Sequence, residues 1–209
     1  MSDPTLTVFV VDDDPSIRES LSLLLSSAGY SVNTFASAKE FLESEHSTSG
    51  PACLVLDVKM PGLSGLDLQQ ELTSMNYTIP VIFITGHGDI PMSVQAMKKG
   101  AIDFLSKPFD DGQLLDAVKV ALLKNSQARV NLNEKKHIMQ RLGSLTAREH
   151  EIMTYLITGM LNKQIAYDLK LSENTIKTHR AHIMQKMKAE SLADLVRLTE
   201  MVDICRHKG

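Results

Sequence analysis

The chain has 209 residues, which is long enough for one large domain or for two modest domains that each bury a core. With 43% hydrophobic and 22% charged residues and a net charge of −3, its composition excludes a disordered chain. Residues 1–125 contain 16 acidic and 8 basic residues, whereas residues 126–209 contain 9 acidic and 14 basic residues. The opposite signs predict two domains, the second of which meets a polyanion.

Signals for export, membrane insertion and disulfide formation are missing from the sequence. The first residues lack a basic region followed by an apolar segment, and no apolar run approaches membrane-spanning length. Cys53 and Cys205 lie far apart and form neither a disulfide framework nor a metal-binding pattern. We therefore expect a cytoplasmic protein that has no membrane partner.

Short apolar runs alternate with helix-period segments in the first half of the chain. Four runs rich in Val, Ile and Leu predict buried strands, and a more polar run predicts an edge strand. Five strands alternating with five helices indicate an α/β domain with a parallel sheet, and the flavodoxin-like order 2-1-3-4-5 puts the polar strand at an edge. The predicted strands are Leu6–Val11, Ser31–Phe35, Cys53–Leu56, Val81–Ile84 and Ile102–Leu105.

Polar residues follow these strands at the edge where such sheets bind ligands. Asp12-Asp13-Asp14 follows the first strand, Asp57 ends the third, Thr85 ends the fourth and Lys107 follows the fifth. Like charges packed together need a cation, and Mg²⁺ suits oxygen ligands that also handle phosphate. Singly, each motif is typical of a solvated turn, but the combination predicts phosphoryl transfer to an Asp nucleophile.

Residues 5–125 resemble the receiver domain of the two-component response regulators, which has the CheY-like fold. The motifs VVDDD, LVLDVKMPGLSG around Asp57, ITGHGD from Ile84 and FLSKPF from Phe104 occur in the family's order and spacing. The resemblance implies that Asp57 is the phosphoacceptor. It implies that Mg²⁺ is bound by Asp13, Asp57 and the backbone carbonyl of Lys59, with Asp12 assisting through water.

The same resemblance assigns three further residues. Lys107 would contact the phosphoryl group, and Thr85 and Phe104 would form a switch pair in which the hydroxyl moves toward the phosphate and the ring turns inward. Position 104 is Phe where many relatives carry Tyr, so the ring is kept and an outward-bonding hydroxyl is lost. Pro61 and Gly62 would shape the loop after the acceptor.

The pattern after Ser144 is purely helical. Thr146 and Glu149 form a predicted capping box, and Ser172 is a predicted N-cap of a helix that runs to about Met187. On that helix Ile176, Ile183 and Met187 share one side. The opposite side has no carboxylate, which favours insertion into the major groove of DNA; it carries Asn174, Lys177, Thr178, Ala181 and Gln185.

Residues 144–204 resemble the LuxR-type helix-turn-helix, a four-helix domain. The resemblance rests on LTAREHEIM, on NKQIAYDLKLSENTIKTHRAHIMQKM and on the Ser191-Leu192 entry to the last helix. It implies that Lys177 and Thr178 read bases and that the fourth helix mediates dimerisation. Further contacts to bases or phosphates are expected from Asn174 and Arg180, and Ala181 stands where some relatives carry Lys.

The connection between the halves predicts a long helix. Residues 111–141 contain no Pro, and no Gly beyond Gly112, whereas a flexible linker would carry such residues. We expect the fifth helix to run from about Asp111 to about His137. The domains would then be a receiver over residues 1–125, a helical linker over 126–143 and a helix-turn-helix domain over 144–209.

A receiver followed by this DNA-binding module resembles the NarL/FixJ family, and the strings TGHGDIPM and KTHRAHIMQKM place it nearest to FixJ-like members such as StyR. We expect phosphorylation of Asp57 by a histidine kinase, homodimerisation, binding to promoter DNA, and activation of transcription with RNA polymerase as partner. Lys59 argues against a haloacid-dehalogenase phosphatase, which carries Asp two residues after its nucleophile. A phosphorylation-independent DNA binder with a degenerate receiver is the third alternative.

Overall fold

The computed structural model describes residues 5–46, 48–86, 94, 96–202 and 204. The chain divides into two compact units, Met1–Arg129 and Val130–Gly209. The first unit contains a parallel sheet in the order β2-β1-β3-β4-β5, which confirms the predicted α/β fold. Its strands are β1 (Thr7–Val11), β2 (Ser31–Phe35), β3 (Ala52–Asp57), β4 (Val81–Thr85) and β5 (Asp103–Ser106).

Helices cover both faces of this sheet, which explains why its central strands are apolar throughout. One face builds a core around Leu54, Phe83 and Leu68, and the other builds a core around Val55 and Ile82. The helices of this unit are Pro15–Ser27, Ala38–Glu43, Gly65–Ser74 and the first part of Asp111–Gly143. The helical spacing of Val94, Met97 and Ala101 predicts a further helix, which lies partly outside the described residues. Residue 94 and residues 96–98 are helical.

Two local predictions were wrong in part. Ile102–Leu105 was expected to be a buried strand, but β5 is half-buried and ends in exposed Ser106, because it is the second edge of the sheet. Ser37, followed three residues later by Glu40, is a sequence pattern that predicts a capping box at the start of the second helix. Ser37 accepts the Glu40 N–H, but the Glu40 carboxylate accepts the N–H of Ala36 at 2.6 Å instead of that of Ser37.

The helix Asp111–Gly143 confirms the predicted helical linker and continues past His137. Its last turns carry Ile138 and Leu142, which are buried in the core of the second unit, so packing favours the extension. No helix in the described ranges combines the length and the apolar character that crossing a membrane requires.

Within its described residues, the second unit adds four helices around one apolar core, as the LuxR-type resemblance implies. Thr146 and Glu149 form the predicted capping box, and Ser172 accepts the N–H of Thr175 as the predicted N-cap. Lys170, in a left-handed conformation, ends the second of these helices. The four helices are Ala147–Ile157, Asn162–Leu169, Glu173–Met187 and Leu192–Met201.

Candidate phosphoryl-accepting site and nucleic-acid interface

Two buried carboxylates lie side by side at the carboxyl edge of the sheet. β1 and β3 are parallel neighbours with Val11 opposite Leu56, so Asp12 and Asp57 are adjacent where the two strands end. Only 1% of Asp12 and 5% of Asp57 is exposed. Two buried like charges are unfavourable unless a cation compensates them.

Lys107 supplies that cation. Its Nζ lies 2.6 Å from Oδ2 of Asp12 and 3.0 Å from Oδ1 of Asp57. The backbone N–H of Lys107 donates to the carbonyl of Thr85 at 2.7 Å, which anchors the residue beside the end of β4. Three residues far apart in the sequence therefore form one charged cluster.

The pKa values at this cluster reflect burial and charge. Burial raises the pKa of Asp57 above its ordinary value, and the neighbouring charge of Asp12 adds to this, although the hydrogen bond and charge of Lys107 oppose it. For Lys107, burial lowers the pKa, but the hydrogen bonds to Asp12 and Asp57 outweigh burial and the net shift is upward. The lysine therefore stays charged and the two carboxylates share it.

The loop after β3 approaches Asp57 closely. The N–H of Lys59 donates to Oδ2 of Asp57 at 2.8 Å. Gly65 packs against the backbone of Asp57, and a Cβ at position 65 would stand 2.2 Å from the Asp57 carbonyl oxygen. Gly62 has a φ of +80°, which glycine adopts without strain. Sequence reasoning identified Gly62 but missed Gly65, although its motif contains both.

Asp13 is exposed, in contrast to the buried residues Asp12 and Asp57. Among the described residues, no three His, Cys, Asp or Glu side chains lie close enough together to hold a metal ion by themselves. Arg18, which sequence reasoning missed, donates to the carbonyls of Asp12 and Asp13 at 2.7 and 2.9 Å and holds this turn. The available oxygen donors still fit Mg²⁺, which takes one or two carboxylates and fills its other positions with water and phosphate.

The predicted switch residues lie on neighbouring strands. Thr85 is fully buried at the end of β4, and Phe104 is half-buried on β5. Phe104 pairs with Phe83 in register, with ring centroids 6.3 Å apart. Because side chains alternate along a strand, Phe83 and Thr85 share one face, and the ring of Phe104 lies on that face as well.

The helix Glu173–Met187 presents two different sides. Ile176, Ile183 and Met187 are fully buried in the core of the second unit. The opposite side is open to solvent, as the sequence predicted, and only Arg180 among its predicted DNA contacts is half-buried. The exposed predicted contacts are Asn174, Lys177, Thr178 and Ala181.

Neighbouring groups already engage several of these side chains. Lys177 pairs with Glu173 at 3.5 Å, so a carboxylate does stand beside this side of the helix at its first turn. Thr178 donates to the carbonyl of Asn174 at 3.2 Å. Arg180 donates to Oδ1 of Asn162, on the preceding helix, at 3.4 Å.

An ion pair between a buried carboxylate and a partly exposed lysine connects the same helix to the first helix of the second unit. Glu149 is 3% exposed and accepts hydrogen bonds from Lys186 at 2.6 Å and from the Thr146 N–H at 2.8 Å. The bond from Lys186, followed by that from Thr146, lowers the pKa of Glu149 to about 2. Sequence reasoning identified Glu149 only as a capping residue, because its partner Lys186 is far away in the sequence.

Comparison with protein families identifies both units. The family model described as "Response regulator receiver domain" matches residues 8–119, and "Bacterial regulatory proteins, luxR family" matches residues 143–199. The chain belongs to the NarL/FixJ family of response regulators.

Individual relatives agree with this assignment. The response regulator is 51% identical to Nodulation protein W of Bradyrhizobium diazoefficiens, over 94% of this chain and 86% of that protein. It is 42% identical to the transcriptional regulatory protein FixJ of Azorhizobium caulinodans, over 96% and 94% of the two chains. Its structure resembles that of the response regulator StyR with a TM-score of 0.82, at 50% identity over 94% and 98%.

Membership of the family gives the coarse function. The response regulator is a transcription regulator of a two-component system rather than an enzyme. A receiver domain implies a sensor kinase as upstream partner, and the luxR-family domain implies DNA as the target.

Proposed function

We propose that Asp57 accepts a phosphoryl group from a cognate histidine kinase in the cytoplasm. The contact of Lys107 with both Asp57 and Asp12 carries this proposal, because it joins a buried carboxylate and a fixed cation at the carboxyl edge of the sheet. A carboxylate oxygen of Asp57 forms a bond to phosphorus while the bond from phosphorus to the kinase imidazole breaks. The imidazole nitrogen then takes up a proton.

The surrounding groups have separate roles in this step. Lys107, which donates a hydrogen bond to Oδ1 of Asp57 in the structure, donates to a phosphoryl oxygen after the transfer. The Lys59 N–H donates to the second carboxylate oxygen of Asp57. Asp13, Asp57 and the backbone carbonyl of Lys59 would hold Mg²⁺, with Asp12 assisting through water. When bound, the ion supplies positive charge that neutralises the phosphoryl oxygens.

Phosphorylation then biases a two-state switch in the first unit. Thr85 moves its hydroxyl toward the phosphoryl group, and Phe104 turns inward behind it. Support comes from their placement on adjacent strands with Lys107 bonded to the Thr85 carbonyl. Phosphorylation shifts the population toward the state that exposes a dimerisation surface, and two receivers form a homodimer through this surface.

The output is binding to double-stranded promoter DNA. When one DNA-binding domain of the dimer binds its half-site, the second is held at a high effective concentration near the other half-site. Dimerisation therefore raises the occupancy of the DNA site. RNA polymerase is then recruited and transcription rises.

We propose 1–125, 126–143 and 144–209 as the receiver, linker and DNA-binding segments. The DNA contacts in this proposal are Asn174, Lys177, Thr178, Arg180 and Ala181.

A phosphorylation experiment tests this function. The full chain is incubated with a small phosphodonor and Mg²⁺, and the phosphoprotein and its DNA binding are measured. Asp57→Ala should lose the label, whereas Asp110→Ala, a change of the same type at an exposed position, should retain it. Lys177→Ala should weaken specific DNA binding without altering the label.

Two other outcomes would favour the alternatives. Release of phosphate over many turnovers would indicate a phosphatase, which Lys59 argues against. DNA binding that is the same with and without the label would indicate a phosphorylation-independent regulator. Loss of labelling in Lys177→Ala would contradict the division of the chain into these two functional parts.

A further inference from the structure

A cavity of about 350 Å³ lies at the edge of the sheet away from Asp57. It is bordered by the first residue of β4, Val81, and by Ile102 just before β5, so it lies at the amino ends of these strands. Leu72 and Ile79 add apolar walls, and Asn125 closes one side. The volume lies in the range of sites that hold small organic ligands.

One wall of this cavity contains a buried side-chain oxygen that has no hydrogen-bond partner in the described part of the chain. Gln69 is 5% exposed, and its Oε1 accepts no hydrogen bond within the described part of the chain. Its Nε2 donates only a long bond of 3.4 Å, to the carbonyl of Lys99. Buried polar atoms are nearly always paired, so an unpaired acceptor on a cavity wall points to a missing donor.

The neighbouring amide makes a useful contrast. Asn125 is also buried on this wall, but its Oδ1 accepts the N–H of Ala52 at 3.1 Å and therefore has a structural role. Among the described residues, Gln69 makes only the longer bond to the carbonyl of Lys99. A leucine at position 69 would fit a buried position on this helix and would leave no oxygen without a hydrogen bond.

We propose that this cavity binds a small, largely apolar molecule that carries a hydrogen-bond donor, and that Oε1 of Gln69 accepts this hydrogen bond. The oxygen is shielded from solvent in the structure, so the amide rotates about its terminal bond when the ligand enters. That rotation breaks only the long bond to Lys99. The site is independent of phosphorylation and of the proposed function.

Two probes of nearly equal size test the proposal in the full chain. 4-Methylphenol carries a donor, whereas 4-fluorotoluene has the same shape without one. Each is titrated into protein with labelled Ile, Leu and Val methyl groups, and both probes are expected to shift the methyl signals of Leu72, Ile79, Val81 and Ile102. Aromatic probes are suitable because their ring currents shift methyl groups that they contact.

Two variants separate the hydrogen bond from the cavity. In Gln69→Leu the affinity ratio of the phenol to the fluoro compound should fall about ten-fold, the size of one well-placed hydrogen bond. The matched control Gln70→Leu, at the exposed neighbouring residue, should keep the native ratio. Ala128→Phe, at an exposed residue of the wall, should weaken both probes at least ten-fold.

The proposal is overturned if the lining methyl signals do not move, or if Gln69→Leu keeps the native ratio. Should Gln69→Leu fail to fold, the methyl shifts and Ala128→Phe decide the result. Unchanged binding of both probes in Ala128→Phe would place them elsewhere and contradict the site.

Discussion

The ammonium group of Lys107 lies 3.0 Å from Oδ1 of Asp57, although fifty positions separate the two residues in the chain. The same nitrogen contacts Asp12, so one lysine compensates two buried carboxylates. A phosphoryl group on Asp57 would compete with Asp12 for this lysine. The contact therefore links phosphorylation of Asp57 to the position of Lys107 and to its ion pair with Asp12 at the carboxyl edge of the sheet.

Removal of that lysine should change the titration of Asp57. In Lys107→Met the pKa of Asp57 should rise further, because the hydrogen bond and charge that oppose the effect of burial are lost. Stability at neutral pH should fall by about 1–3 kcal/mol, since two carboxylates stay buried without a counter-charge. Carboxyl NMR titration measures the first effect and urea unfolding the second. Lys119→Met, at an exposed position, should change neither.

Gly65→Ala should displace the phosphoacceptor. The added methyl group would stand 2.2 Å from the Asp57 carbonyl oxygen, so the backbone must move. We expect a loss of about 1–3 kcal/mol in stability, as for other overpacked sites, and slower labelling by a small phosphodonor. Gly143→Ala meets no atom within 4 Å and should label at the native rate. Native labelling and stability in Gly65→Ala would contradict the close approach.

The second unit should lose stability in acid through Glu149. Its pKa in the folded protein is lowered from 4.5 to about 2. The unfolded chain therefore binds the proton more tightly, and the stabilisation is complete above about pH 4.5 and lost as pH falls toward 2. Glu149→Gln should remove this part of the acid dependence, measured by urea unfolding at several pH values. Glu151→Gln, in an exposed pair, should keep it.

Ile138→Ala should destabilise the second unit. Ile138 is 1% exposed in its core, and truncation of such a residue costs about 2–5 kcal/mol. Met139→Ala, at the next residue, removes a side chain that is 56% exposed and should have little effect. Hydrogen exchange resolved by residue locates the change. Equal small effects of the two substitutions would show that the last turns of the long helix do not contribute to this core.

Glu173→Gln should strengthen binding to DNA. The change frees Lys177 from its ion pair and removes a carboxylate that phosphates repel. We expect two- to five-fold tighter binding, about 0.4–1 kcal/mol, which is the range of an exposed ion pair. Glu200→Gln removes an exposed carboxylate elsewhere in the same unit and is the control. Weaker binding by Glu173→Gln, measured at one salt concentration, would argue against a DNA contact by Lys177.

The sequence by itself determined the strand order, the helical second half and the long connecting helix. The helices and strands depend on the period of apolar residues, which acts over short stretches of chain. The strand order follows from the general architecture of parallel sheets that alternate with helices. The same rules placed Asp57 and Lys107 at one edge, because every parallel strand ends there. The DNA contacts and the segment boundaries stay predictions.

Only the tertiary structure decided which polar groups pair. That Lys107 bridges two carboxylates, that Lys186 satisfies Glu149, and that Gly65 packs on Asp57 depend on distances across the fold. Burial of β5 was overestimated because its apolar run was interpreted by itself, although the predicted order 2-1-3-4-5 already places this strand at the second edge of the sheet. It is also visible only in three dimensions that Oε1 of Gln69 accepts no hydrogen bond from the described residues, because hydrogen-bond partners have no signature in the sequence.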